Sequence, residues 1–341
     1  MDDLDRLAHG LEAGALELPE GPVLVINARP GRLSPLPGRP VCEQGMRPLH
    51  DALAAMGHEV HPRVDQGSFA AAVVLLPRNR AEALGALARA FRLTRPGGRV
   101  VLSGAKSDGV DSIIARLRAL VPVETMAKGH GKLAWAARPD ALPGTFGEWE
   151  AAAAPARNAD GFLSAPGMFS HAHADPGSRL LAAHLTGRLS GRVVELGAGY
   201  GWLAAQLLAG NPGIAELTMV EADHAACRAA EANVADPRAR VVWADVAALP
   251  APEPPFDHAV ANPPFHAGRA ADPALGLGFI AAAARFLGPR GRLVLVANRH
   301  LPYEAGVSRL FASWREEAAA GGYKILVAER PRPGAAGRGR R

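Results

Sequence analysis

The chain has 341 residues, 48% of them hydrophobic and 21% charged, with a formal net charge of +5. That length favours two domains over one, and the composition is that of a globular protein rather than a fibrous or disordered one. No apolar run approaches the roughly 18 residues of a membrane span, and the start, MDDLDRLAHG, is acidic where a signal peptide would be basic, so a cytoplasmic protein is expected.

The elements follow in chain order. GPVLVINARPG (21–31) reads as a strand and turn, and MRPLHDALAAMG (46–57) as a helix. AAAVVLLPRNR (70–80) is a strand, AEALGALARAFRL (81–93) a helix, PGGRVVLSGAK (96–106) a strand and DGVDSIIARLRALV (108–121) a helix. The Pro- and Gly-rich stretch 138–162 reads as a connection, which places a domain boundary between residues 146 and 147. GRVVELGAG (191–199) is a strand entering a glycine turn. WLAAQLLAG (202–210) is a helix, ELTMVEAD (216–223) a strand, HAACRAAEANV (224–234) a helix and ARVVWADV (239–246) a strand. FDHAVANPPF (256–265) is a strand that stops at Asn262, because prolines lack the N–H a sheet interior needs. PALGLGFIAAAARFL (273–287) is a helix, GRLVLVAN (291–298) a strand, AGVSRLFASW (305–314) a helix and GYKILVAER (322–330) a strand. Such alternation implies a mostly parallel sheet covered on both faces.

Arg330, Arg332, Arg338, Arg340 and Arg341 equal the whole formal charge excess. Residues 332–341 are expected to be a disordered basic tail, one that either touches RNA phosphates or merely keeps the chain soluble. Cys42 and Cys227 stand apart and read as reduced thiols. His171-x-His173-x-Asp175 has ligand spacing, but no further ligand cluster is evident and no metal is expected.

The two halves can be laid over each other, with VLVINARPG beneath VVELGAGYG and RPGGRVVLSG beneath GPRGRLVLVA. The overlay suggests an old duplication of one α/β unit. It sets Asn27 and Arg29 beneath Gly197 and Gly199, and Leu76 beneath Asn262.

VVELGAGYG carries Glu195, Gly197, Gly199 and Gly201 at a strand-to-helix turn, where glycines allow positive φ and close approach of a ligand. Glu221 ends the next strand, placed for ribose hydroxyls. Asp245 ends the third, placed to accept from an adenine amino group. A dinucleotide enzyme would share the first two features but has no need of Asn-Pro-Pro-Phe on the fourth strand. That element suits a planar amine, whose delocalised lone pair makes it a poor nucleophile. If the Asn262 side-chain oxygen and the Pro263 carbonyl accept its two N–H groups, the lone pair is steered out of plane. Pro263 and Pro264 stiffen the loop, and Phe265 offers a stacking face.

These motifs, with GMFSHAHADPGS, VEAD and VANRHLPYE, resemble class I S-adenosylmethionine-dependent methyltransferases, and in particular the bacterial rRNA guanine-N2 methyltransferases of the 16S type. The resemblance implies an α/β fold of two tandem Rossmann-like methyltransferase domains. The N-terminal one (1–146) would be degenerate, supporting the other or binding RNA. The catalytic one (147–331) would hold a seven-stranded, mostly parallel sheet. It implies S-adenosylmethionine as cofactor, held by Phe169, Asp175, Glu195, Leu196, Gly197, Ala198, Gly199, Gly201, Glu221, Ala222, Asp245, Val246 and Asn262. Catalysis would fall to Asn262, Pro263, Pro264 and Phe265. The partner would be ribosomal RNA or a ribosomal subunit, met by a monomer with no membrane or metal involved. Adenine N6 or a protein glutamine remains an alternative acceptor. A non-catalytic RNA-binding assembly factor remains an alternative of another kind.

Overall fold

Strands in both halves bury alternate side chains on opposite faces, and helices return along each face. The computed structural model describes residues 1–264, 266–267, 270–271 and 273–333. The chain divides into two compact units.

The first unit is Met1–Pro155 with Ala165–Gly167. It runs α1 (Asp3–Glu12), β1 (Val23–Ile26), β2 (Val41–Glu43), α2 (Arg47–Ala55), β3 (Glu59–His61), β4 (Phe69–Leu75), α3 (Arg80–Leu93), β5 (Thr94–Ala105), α4 (Val110–Arg118), β6 (Glu124–Lys128), β7 (Gly131–Ala137) and α5 (Gly144–Ala153). The second unit is Ala156–Ser164 with Met168 onward. It runs β8 (Ala156–Arg157), β9 (Leu163–Ser164), α6 (Pro176–Leu185), β10 (Gly191–Leu196), α7 (Trp202–Gly210), β11 (Ile214–Glu221), α8 (His224–Asn233), β12 (Ala239–Trp243) and β13 (Phe256–Ala261). It continues with β14 (His266–Ala267), β15 (Ala270–Ala271), α9 (Pro273–Phe286), β16 (Leu287–Asn298), α10 (Glu304–Leu310), β17 (Phe311–Ala320) and β18 (Tyr323–Pro331).

Each unit holds a seven-stranded sheet, ordered β3-β2-β1-β4-β5-β7-β6 in the first and β12-β11-β10-β13-β16-β18-β17 in the second. In each, one strand (β7 or β18) runs antiparallel to both neighbours. The other pairings in these two sheets are parallel. In the second unit Val193, Val260 and Val294 face α6 and α7, while Val194, Ala259 and Leu293 face α9 and α10. Helices on both faces therefore bury every central strand twice, which is why those strands read as near-continuous apolar runs.

Five expectations change. Residues 138–162 are not a plain connection: α5 lies within them, and Phe146 packs on Phe91 at 4.5 Å between ring centroids. That packing keeps α5 with the first unit, so the division falls after Pro155 rather than after residue 146. The helix expected over 305–314 stops at Leu310, and the chain turns into the edge strand β17. The strand expected over 239–246 ends at Trp243, leaving Asp245 in the following turn. The expected tail begins too early: the Arg332 N–H donates to Leu310 O at 2.8 Å, and its side chain bonds Phe311 O. Arg338, Arg340 and Arg341 lie outside the described residues.

Candidate active site

Strand parity decides which side chains meet. Glu195 lies two residues from Val193 on β10 and so shares its face, toward α6 and α7. Asn262 follows the last residue of β13 and continues the parity of Val260, toward the same helices. Both reach the carboxyl ends of adjacent parallel strands, the usual place for a ligand in such a sheet.

The turn after β10 needs its glycines for two different reasons. Gly199 has φ 55°, and a Cβ there would meet nothing within 4 Å, so its backbone faces open space. Gly201 has φ 85°, and a Cβ there would stand 2.9 Å from Val234 and 3.2 Å from Ala230, so this glycine lets α7 pack against α8.

The acids behave differently from one another. Glu195 is 2% exposed, and its Oε2 has no hydrogen-bond partner among the described residues. Burial pushes its carboxyl well above the usual range, and the neighbouring Glu221 adds to the shift. Glu221 is satisfied. Its carboxylate accepts from the N–H groups of Gly199 (2.8 Å), Ala222 (2.7 Å) and Asp223 (2.8 Å), while burial raises its pKa against those bonds. It thus ties the glycine turn to the end of β11. Asp245 accepts from the Ala247 N–H at 2.9 Å, and Arg285 braces the same turn through Val246 O at 2.8 Å.

Asn262 is held from one side. Its Nδ2 donates to Asp175 Oδ2 and to Ser178 Oγ, both at 2.8 Å. Asp175 is the N-cap of α6, and the same Oδ2 accepts the Ser178 N–H at 2.9 Å. An ionised carboxylate only accepts, so the amide nitrogen must face it. The amide oxygen is then the end turned away from α6.

A cleft joins Glu195, the glycine turn and the Asn262 amide with its anchors. Of the residues expected from sequence, Phe169, Asp175, Glu195, Gly197, Ala198, Gly199 and Asn262 line it, as do Ser170 and Ser178 of the GMFSHAHADPGS segment, together with the unforeseen Tyr200, Trp202 and Leu203. Leu196, Gly201, Glu221, Ala222, Asp245 and Val246 stand outside that lining. Pro263 is buried, Pro264 is exposed, and Phe265 lies outside the described residues. Phe169 is 56% exposed at the cleft. The next residue, Ser170, adopts φ 51°, and its carbonyl accepts from the Tyr200 hydroxyl at 3.2 Å.

Known proteins are similar to this chain in sequence and in fold. The ribosomal RNA small subunit methyltransferase C of Pseudomonas paraeruginosa (strain DSM 24068 / PA7) is 30% identical over 280 residues, covering 79% of this chain and 82% of that protein. This chain belongs to the ribosomal RNA small subunit methyltransferase C family. The methyltransferase small domain family matches residues 160–327. The family member from Shewanella sp. (strain MR-4) is 35% identical over 161 residues, 47% of this chain, and that match spans about half (46%) of its own length. Among solved structures, the T. thermophilus 16S rRNA N2 G1207 methyltransferase (RsmC), in complex with AdoMet and guanosine, superposes with a TM-score of 0.77. It is 28% identical, and the match covers 95% of this chain and 92% of that one.

The family's cofactor is S-adenosylmethionine. The residues present fit it. A buried acid with one unpartnered oxygen suits the ammonium of its methionine part, and an open glycine turn suits close approach of its backbone-sized groups. Among the described residues no group of three or more His, Cys, Asp or Glu could hold a metal, and no helix is long and apolar enough to cross a membrane.

Proposed function

We infer that this chain transfers a methyl group from S-adenosylmethionine to the exocyclic N2 of a guanine in 16S ribosomal RNA. The observation that carries the reading is the Asn262 amide, held by its nitrogen in the lining of a cleft that Glu195, with its unpaired oxygen, also lines.

When bound, S-adenosylmethionine supplies an electrophilic sulfonium methyl. Glu195 and the turn from Gly197 to Gly199 would hold its methionine part. Glu221 would serve the ribose, exchanging one of its backbone bonds for a hydroxyl, and Asp245 would serve the adenine side. Asn262 Oδ1 and the Pro263 carbonyl would accept the two N–H groups of the guanine amine. That withdraws the nitrogen lone pair from conjugation and points it at the methyl. The acceptors are already placed, because the amide is anchored and the prolines fix the loop. The nitrogen sheds its extra proton only after the methyl arrives, so no strong base is needed. A paired guanine hides its N2, so the base must be flipped or presented single-stranded.

The first unit does not serve as a second site in this reading. Registers place Val25 where the second unit has Glu195, Asn27 where it has Gly197, and Arg29 where it has Gly199. They place Leu75, not Leu76, at the position of Asn262, because Ile26 pairs with Val74 as Leu196 pairs with Ala261. The unit would support the catalytic one or bind RNA. The protein would act in the cytoplasm, where its RNA substrate is.

Tritiated methyl transfer to 16S rRNA, naked and as 30S subunits, followed by nucleoside analysis, tests the reading. N2-methylguanosine is the expected product. Label in N6-methyladenosine alone, or in protein alone, would overturn it.

A further inference from the structure

Asp175, in the stretch Asp175-Pro176-Gly177-Ser178, was expected to serve the cofactor, yet the geometry of this stretch serves another residue. Asp175 and Ser178 both accept from the Asn262 amide nitrogen, using both of its N–H bonds. Gly177, between them, is buried. A Cβ there would stand 2.9 Å from Asp175 Oδ2 and 2.9–3.0 Å from the ring of Tyr323. An aromatic ring is rigid and cannot yield like the end of a long side chain. Any side chain at 177 would therefore press the carboxylate away from Asn262.

We propose that Asp175, Gly177 and Ser178 form a positioning device that locks the Asn262 amide with its oxygen toward the acceptor nitrogen. The device rests on the function proposed above. An amide can flip end for end at little steric cost, and flipped it would present N–H donors to an amine that itself donates. The carboxylate forbids the flip, because the amide oxygen would then face another acceptor. Ser178 alone could not forbid it, since a hydroxyl both donates and accepts. Asp175 is thus a positioning residue and Asn262 the one that touches substrate.

The N-cap of α6 offers a clean separation of roles. Ser caps a helix about as well as Asp, so Asp175→Ser keeps the cap. It loses the enforced polarity, because a hydroxyl that accepts the cap N–H can still donate to a flipped Asn262 amide. Single-turnover methylation of 16S rRNA at saturating S-adenosylmethionine is compared for wild type, Asp175→Ser, Ser178→Ala, Asn262→Ala and the double variant Asp175→Ser/Asn262→Ala. Asp175→Ser is expected to slow transfer by ~10–100-fold, a fraction of what a preorganised polar group contributes. Cofactor affinity by calorimetry should stay close to wild type. In the Asn262→Ala background the Asp175 change should cost nothing further, since its effect runs through Asn262.

Wild-type rate in Asp175→Ser would overturn the proposal. So would additive losses in the double variant, or slow transfer accompanied by weakened cofactor binding, which would return Asp175 to the cofactor. Should Asp175→Ser fail to fold, Gly177→Ala, whose Cβ presses the carboxylate away from Asn262, decides: a several-fold slower rate at unchanged cofactor affinity supports the device, and an unchanged rate refutes it. A wild-type chain that methylates no guanine refutes the function itself, a result distinct from all of these.

Discussion

Asn262 and Glu195 show how much a single side chain's surroundings change what its type suggests. An acceptor role alone would let Asp replace Asn262. The hydrogen bond to Asp175 Oδ2 at 2.8 Å says otherwise, because Asn262→Asp would set two carboxylates against each other. Asn262→Ala is expected to lower kcat by ~10²–10³ with little change in cofactor affinity, because the transition state is deprived of one preorganised acceptor. Asn262→Asp should be comparably slow near neutral pH and recover partly as the pH falls and the pair shares a proton. A pH–rate profile separates the two variants, and a fully active Asn262→Asp would refute the pairing. Glu195 gives a second test. Its folded pKa is raised, so its contribution to stability is complete below the ordinary carboxylate range and is lost as pH rises through the raised value. A bound ammonium reverses this by favouring the ionised form. S-adenosylmethionine should therefore bind more tightly as pH rises through that value, with proton release on binding. Calorimetry in buffers of different ionisation heat measures the release, and Glu195→Gln should abolish it while weakening affinity.

Elements were legible where burial imposed a pattern. Central strands such as Val193–Leu196 and Phe256–Ala261 are covered on both faces, so their apolar runs stand out, and Pro263 marks where the latter must stop. The short strands Val41–Glu43 and Glu59–His61 are too brief to show a period. Strand β17, FASWREEAAA, pairs only with β18 and is largely exposed, so it has no alternation to read. Helix α5 was hidden by its Gly and Ala content, which reads as a connection but in fact allows close packing. A Cβ on Gly85 of α3 would overlap the Cβ of Ala153 on α5 and come within 3.4 Å of Trp149 O. Gly85→Val should thus force the two helices apart and destabilise the first unit by ~1–3 kcal/mol, the usual cost of overpacking. Chemical denaturation would show it. Unchanged stability would mean that α5 does not dock against α3 as described. At the site, the glycine turn and Asn-Pro-Pro were readable because each forces a backbone. The partnership of Asp175 with Asn262 was not, since 87 residues separate them and only the fold joins them.

Over the whole molecule one strand order occurs twice, and the two units differ at the positions where a ligand would sit. In the first unit α1 precedes β1 as α6 precedes β10 in the second, but α1 brings a buried arginine. Arg6 is 1% exposed and donates to Asp3 Oδ1 (2.8 Å), Ser103 Oγ (2.9 Å) and Lys128 O (3.0 Å). Asp3 also faces Arg29 at 3.5 Å. A buried cation so fully paired is costly to move, because disturbing one partner leaves charge uncompensated. Asn27 has the left-handed backbone of the corresponding turn in the second unit, with φ 58° against 75° at Gly197, and its side chain bonds Leu75 O at 2.9 Å. Full-length protein should therefore bind one S-adenosylmethionine per chain, and Gly199→Arg, which copies Arg29 into the second unit, should bind none. The arginine would enter space that no atom of the protein occupies within 4 Å of a Cβ, so its cost falls on the ligand. Gly199 also holds φ 55°, so some loss of stability is expected, and thermal unfolding must confirm that the variant stays folded. Calorimetry then counts sites. Residual binding of one cofactor by a folded Gly199→Arg chain would mean that the first unit, despite Arg6 and Arg29, still holds a site.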